Sequence, residues 1–231
     1  MVPFAPAPGT ALLLSRLGAK MGPSPHPGKS LNTLFPIKSH VILFLQELRG
    51  FAAPCYKRLE RDAMTPKNPG IQISIPHFAE PLRIEYIVTD FTGTLSFRGR
   101  LATGVALRLR KLKKLVDIHV VTSDSFSTAE SELAAVPLTP HILEPGKWHD
   151  LQKKNYVKKL GASRVAAFGN GNNDALMLRA VRDSGGLAIA VDNGEGCAVR
   201  TMANAHLFIV NIANALDLLL DPRRCIASLR K

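Results

Sequence analysis

The stretch "IEYIVTDFTGTLSFRG", residues 84–99, decides the fold. An apolar run through Ile84, Tyr86, Ile87 and Val88 stops at Asp90, and Thr92, Gly93 and Thr94 follow at once. A strand covered on both faces reads as a nearly continuous apolar run, the mark of a parallel sheet. A carboxylate that closes such a run belongs at the sheet's rim, where open α/β sheets bind their ligands.

Outward from that strand the pattern alternates. "IQISIP" and "LRIEYIVTD" read as a strand pair flanking a turn. Val105, Leu109, Leu112 and Val116 recur at helical spacing. "DIHVVTSD" is a strand, and "STAESELAAV" a helix opened by Ser/Thr with acids in its first turn. A strand near "PHILE" and the helix "WHDLQKKNYVKKLG", closed by Gly161, come next, then the strand "RVAAFGNG" and the helix "NNDALMLRAV". The strand "GLAIAV", a helix near "GCAVRTMANA", the strand "HLFIV" and the helix "IANALDLLLD" complete the series. Strands alternating with helices predict an α/β fold: a doubly wound, mostly parallel Rossmann-like sheet with helices on both faces.

The first 63 residues read differently. Residues 1–38 are rich in Pro, Gly, Ala and Ser without an acidic residue, and 39–63 allow a short amphipathic helix interrupted by Gly50 and Pro54. No basic region precedes the short apolar piece, so a signal peptide fits poorly. Met64 opens what reads as a clean domain start. The expected division is therefore an extension over 1–63, disordered or spurious through an early start codon, and a catalytic domain over 64–231.

The net charge of +12 is shared between these parts. Residues 1–63 carry eight Lys/Arg against Glu47, Glu60 and Asp62, and the remainder 22 basic against 15 acidic groups. A basic enzyme that handles anions accounts for this; there is no RNA-binding signature, zinc spacing or aromatic interleaving to argue for nucleic acid. "RLRKLKK" at 108–114 reads as the solvated face of a helix. Three scattered cysteines, Cys55, Cys197 and Cys225, form neither a disulfide framework nor a metal site. They suggest a reducing, cytoplasmic setting, and no apolar run approaches the ~18–20 residues of a membrane span.

Four predicted strand or helix ends carry polar clusters in order: "DFTGT" at 90–94, "TSDS" at 122–125, lysines ahead of "YVKKLG", and "GNGNND" at 169–174. Together they resemble the haloacid dehalogenase (HAD) superfamily of phosphotransferases, in particular its soluble members similar to the phosphorylation domain of P-type ATPases. "DFTGTL" resembles the pumps' aspartyl-phosphate signature, differing at Phe91. "GNGNNDALML" resembles their hinge motif, with Asn170 where they have Asp. The resemblance spans residues 70–231, including the ending "LDLLLDPRRCIASLR".

It implies a phosphohydrolase acting on phosphate monoesters. Asp90 would be the nucleophile that forms an aspartyl phosphate. Charge on a dianionic phosphate calls for a divalent cation such as Mg²⁺. The resemblance implies ligation by Asp90, the backbone carbonyl of Thr92 and Asp174, with Asn170 adding a direct or water-mediated contact. Thr122 would hydrogen-bond a phosphoryl oxygen, with Ser123 and Asp124 opening the next helix, whose N-terminal amides favour anions. Plain helix capping would use the same residue types. Lys153 fits the motif lysine that balances nucleophile and phosphate, with Lys154 and Lys147 as substitutes. Gly93 turns the chain after the nucleophile and Thr94 ties the turn down. Gly169 and Gly171 permit close approach, and Asn173 braces their loop. Trp148 reads as packing or pocket wall.

One carboxylate is missing. Two residues after the nucleophile HAD phosphatases usually have an Asp, the general acid and base; here it is Thr92. Such help is typically worth ~10²–10⁴-fold, so slow turnover and a long-lived phosphoenzyme are expected. The gaps between motifs leave no room for a cap domain or a nucleotide-binding insertion. An open site suits a large phosphorylated substrate, or a partner subunit, including a second copy, that closes it. Thr92 and Asn170 also suit a different reading, a phosphate-sensing or regulatory interaction protein on the same scaffold.

Overall fold

The computed structural model describes residues 66–124, 127–146 and 148–231. The proposed extension over 1–63 and Lys147 lie outside the described residues.

The centre is a six-stranded parallel sheet, and the first of its strands, β3, comes third in the chain. Before it, β1 (Ile71–Ile73) and β2 (Leu82–Ile84) pair antiparallel as a separate ribbon. The expected single strand "LRIEYIVTD" is therefore two. β2 ends at Ile84 on the ribbon, and β3 (Tyr86–Thr89) enters the central sheet beyond Glu85. All four residues of β3 are buried, as its apolar run required.

After β3 come a single wide turn, Phe91–Leu95, and a tight hairpin of β4 (Ser96–Phe97) and β5 (Arg100–Leu101). The chain continues with α1 (Val105–Leu112), β6 (Asp117–Thr122), α2 (Ala129–Leu133) and β7 (His141–Ile142). Next are α3 (His149–Leu160), β8 (Val165–Gly169), α4 (Ala175–Asp183) and β9 (Leu187–Asp192). The last elements are α5 (Val199–Met202), β10 (Leu207–Val210), α6 (Ile212–Leu220) and α7 (Pro222–Leu229).

Strand order across the sheet is β10-β9-β8-β3-β6-β7, all neighbours parallel. Residue alternation along each strand feeds two cores. Ile87, Val120, Ala166, Phe168, Ile189 and Val191 face the layer containing Leu109, Leu112, Leu216 and Leu219. Val88, Val121, Val165, Ala167, Ala188 and Ala190 face Val157, Leu160, Met177, Leu178 and Val181. Helices on both faces give the doubly wound α/β arrangement expected. Among the described residues no domain is inserted between these elements, so the rim is uncapped.

Two readings are refined. The nucleophile motif is followed by the hairpin β4–β5, which the sequence pattern did not suggest. The C-terminal run divides at Asp221, whose side chain caps α7 by accepting the Arg223 N–H with Pro222 in the first turn.

Candidate active site

Because all six strands run the same way, their C-terminal ends form one rim, and the motif residues gather where β3, β6 and β8 end. Asp90 follows β3 directly, its main-chain N–H bonded to the Phe168 carbonyl of β8 at 3.2 Å. The turn after it is pinned by fully buried Phe91 and Leu95, each worth roughly 1.5–3 kcal/mol of burial. Ser96 Oγ donates to the Phe91 carbonyl at 3.0 Å, which closes the loop. Gly93 reverses the chain at φ +74°, and a Cβ there would lie 2.4 Å from Asn170 Nδ2. Both conformation and space demand glycine.

Lys153 arrives from α3, on the face that buries Val157 and Leu160. Its ammonium is completely buried, 2.7 Å from Asp174 Oδ1 and 3.1 Å from Asp90 Oδ1. The first contact is a hydrogen bond; the second is an ion pair without hydrogen-bond alignment. Lys154, one residue on, points away and lines a hollow with Leu176, Arg179 and Asp183. Of the two described lysines, Lys153 is thus the one the geometry brings to Asp90.

Electrostatics at this pair oppose each other. Burial pushes the Asp90 carboxyl up to about 6, against the pull of the Lys153 charge and with help from neighbouring Asp174. For Lys153, burial disfavours the charge, but Asp174 and Asp90 outweigh it and hold the ammonium above its usual range.

Asp174 also holds its own loop together. Besides Lys153, its Oδ2 accepts the main-chain N–H groups of Asn170 and Gly171, both at 3.0 Å. Both oxygens are engaged and fully buried, so Asp174 clamps the lysine and the Asn170–Gly171 loop. Gly169 makes that clamp fit, since a Cβ there would stand 2.4 Å from Asp174 Cβ and 2.5 Å from its Cγ. Gly169→Ala should therefore cost roughly 1–3 kcal/mol, the usual range for overpacking, measurable as a lowered urea midpoint. Asp174 braces that loop, and Asn173 Oδ1 sits 2.6 Å from the point where a Gly171 Cβ would be.

Asn170 lies between both loops. Thr94 Oγ1 donates to its Oδ1 at 3.1 Å, and its Nδ2 donates to the Gly196 carbonyl at 3.2 Å. Thr94 thus ties the nucleophile turn to the β8 loop, as its position suggested.

On the β6 side, Thr122 is buried and its Oγ1 accepts the Asp124 N–H at 3.0 Å, leaving the hydroxyl proton available to a ligand. Ser123 is half-buried beside it. The following helix does not start here. α2 begins at Ala129, and Asp124 Oδ1 accepts the N–H groups of Thr128 and Ala129. Those amides are already satisfied by a carboxylate, so the anion-binding helix terminus expected at Ser123–Asp124 is absent. Trp148 stands 69% exposed ahead of α3.

Two buried polar atoms, Asp90 Oδ1 and Thr92 Oγ1, have no hydrogen-bond partner. Native proteins leave few such atoms, and they concentrate where a ligand or ion completes the bonding. Among the described residues no group of three His, Cys, Asp or Glu side chains is arranged to hold a metal. The side-chain oxygens at this rim suited to a cation are those of Asp90, Asp174 and Asn170. Carboxylates with a neutral oxygen suit Mg²⁺, which keeps several waters and shares substrate phosphate oxygens.

Sequence reasoning missed Glu195. It lies in the loop between β9 and α5, yet its Oε2 comes 3.1 Å from the Cβ position at Gly93. Glycines on either side, in "NGEGC", were the available signal.

No family model matches the chain. Solved structures with a similar arrangement include 3-deoxy-D-manno-octulosonate 8-phosphate phosphatase from Moraxella catarrhalis, in complex with magnesium, phosphate and sugar. It is 17% identical at a TM-score of 0.47, over 63% of this chain and 90% of that one. The cobalt-bound Haemophilus influenzae enzyme of the same name is 14% identical at 0.48, over 64% and 94%. In sequence, the uncharacterized protein MJ0073 of Methanocaldococcus jannaschii is 37% identical over 81 residues, 35% of this chain and 77% of that protein. The chain belongs to the family of that archaeal protein, and its six-stranded parallel sheet with helices on both faces is the doubly wound α/β architecture its alternating pattern predicted.

Proposed function

We propose that the protein is a Mg²⁺-dependent phosphohydrolase that cleaves phosphate monoesters through a phosphorylated Asp90. The observation that carries this reading is Lys153, fully buried and bridging Asp90 and Asp174 at adjoining strand ends. Two carboxylates brought together in a buried rim are kept there by one cation. That arrangement holds the Asp90 oxygen fixed for in-line attack while supplying positive charge to an incoming phosphate.

Asp90 attacks phosphorus and the ester oxygen leaves; water then attacks the acyl phosphate and restores the carboxylate. Thr122 donates its hydroxyl proton to a phosphoryl oxygen, beside Lys153. Asp90, the Thr92 carbonyl, Asp174 and Asn170 are the residues that would hold Mg²⁺, whose contribution would be to neutralise charge on the phosphoryl oxygens. Thr92 cannot move a proton as a carboxylate would, so turnover is slow. The uncapped rim admits a phosphate carried by a large molecule.

The test is hydrolysis of an aryl phosphate with and without Mg²⁺, with acid-quench trapping of labelled protein. Activity should require Mg²⁺, label should map to Asp90, and Asp90→Asn should abolish both. Phosphate bound to the wild type without any trapped label or turnover would instead support the phosphate-sensing reading, which Thr92 and Asn170 favour.

A further inference from the structure

We infer that Glu195 is the base that activates water against the phosphorylated Asp90, doing from another loop what Thr92 cannot. The inference rests on the Asp90 reading above and extends it to the second half-reaction.

The nucleophile turn and the loop between β9 and α5 meet edge to edge. Asp192 Oδ1 accepts the N–H groups of Gly194 and Gly196, at 2.8 and 3.0 Å, folding residues 192–196 into a compact bend. Asn193 Nδ2 donates to the Ser96 carbonyl at 3.3 Å, and the Ala198 N–H donates to the Asn170 carbonyl at 2.8 Å. With the Asn170 side chain on the Gly196 carbonyl, the loop is fastened to both motifs that flank the nucleophile.

At its apex Glu195 reaches back across the turn. Its Oε1 accepts the Arg98 N–H at 2.5 Å, which fixes the carboxylate on the hairpin. Its Oε2 faces Gly93, the residue next to Thr92. Glu195 and Asn170 Nδ2 converge on the same point above Gly93, so the carboxylate lies on the side of the turn where Asn170 lies. Glu195 is exposed, so solvent reaches the same carboxylate. Asp174 is engaged at both oxygens, with Lys153 and two amides, while Asp124 and Asp192, like Glu195, each hold main-chain N–H groups through one oxygen. A side chain at Gly93 would stand between Asn170 and Glu195.

The step balances simply. As the water oxygen bonds to phosphorus, Glu195 takes the water proton. The bond between phosphorus and Asp90 breaks, and its electron pair returns to the Asp90 carboxylate. Inorganic phosphate leaves, and Glu195 returns the proton to solvent.

The experiment uses the full chain, an aryl phosphate and rapid acid quench, following formation and decay of labelled Asp90 separately. A phenolate leaves without a proton, so Glu195→Gln should form the phosphoenzyme at the wild-type rate. Its decay should slow roughly 10- to 100-fold, toward the lower end of what general base catalysis supplies. Glu195→Asp should recover part of the rate. In a Thr92→Asp background, where a closer carboxylate takes the role, Glu195→Gln should change decay less than about threefold. Wild-type decay in Glu195→Gln overturns the role, and so does equal slowing in both backgrounds, since that marks a purely structural loop. If wild-type protein never carries label on Asp90, the Asp90 reading fails first and the role of Glu195 with it.

Discussion

Lys153→Met should destabilise the protein by roughly 3–5 kcal/mol, the range for removing one partner from a buried ion pair, and should abolish phosphorylation of Asp90. Methionine fills similar volume, so the loss is electrostatic and not a cavity. Lys153 and Asp174 are fully buried and Asp90 is 4% exposed, so water cannot replace the missing charge. Burial already pushes Asp90 toward its neutral form, and without the ammonium only the Phe91 main-chain N–H still opposes that shift. A neutral acid is a poor nucleophile, which couples the loss of stability to the loss of function. Urea unfolding measures the first effect and acid-quench trapping the second. The double variant Lys153→Met with Asp174→Asn separates them. Removing the orphaned charge should regain part of the stability, because an amide oxygen still accepts the Asn170 and Gly171 N–H groups. Phosphorylation should stay absent. Wild-type stability in Lys153→Met would mean that the buried bridge contributes nothing to the fold.

How far the sequence revealed this site depends on what a motif encodes. Spacing and strand ends placed Asp90, Thr122, Lys153 and Asp174 on one rim, because each closes a strand or faces inward from a helix. The choice of Lys153 over Lys154 followed from the family's motif spacing before Val157, and Lys153 shares the helix face that buries Val157 and Leu160. Spacing could not say which oxygen meets which partner. Nor could it show that the Asp174 oxygens meet Lys153 and two amides, an arrangement set by the close approach at Gly169.

The helix after "TSDS" was placed too early for a similar reason. Asp124 is an effective capping residue, but it caps from five residues upstream, across a bend, and not from the N-cap position. The break at Glu85 left no mark in hydropathy, since β2 and β3 are both apolar and differ only in which sheet they join. Glu195 was invisible because its neighbours in space, Gly93 and Arg98, lie about a hundred positions away in the chain.

Thr92→Asp should speed turnover by about 10²-fold, the lower bound of general acid–base catalysis, and shorten the life of the phosphoenzyme in proportion. Three features favour it. The Thr92 hydroxyl has no hydrogen-bond partner, so its removal breaks no bond. The backbone there, φ −68° and ψ 120°, is one that aspartate adopts freely. Half-buried and two residues beyond Asp90, the new carboxylate can reach both the leaving oxygen and the attacking water. Its cost is a second negative charge close to the first, so a small loss of stability should accompany the gain in rate. Thr92→Asn is the control, nearly equal in size and polarity but unable to accept a proton. If general base catalysis limits turnover, the aspartate variant alone accelerates, and the fraction of enzyme trapped as phosphoenzyme falls. Equal rates for the two variants would show that dephosphorylation is limited elsewhere. The slow step would then be sought in phosphate release or in the positioning of water, not in the residue two places after the nucleophile.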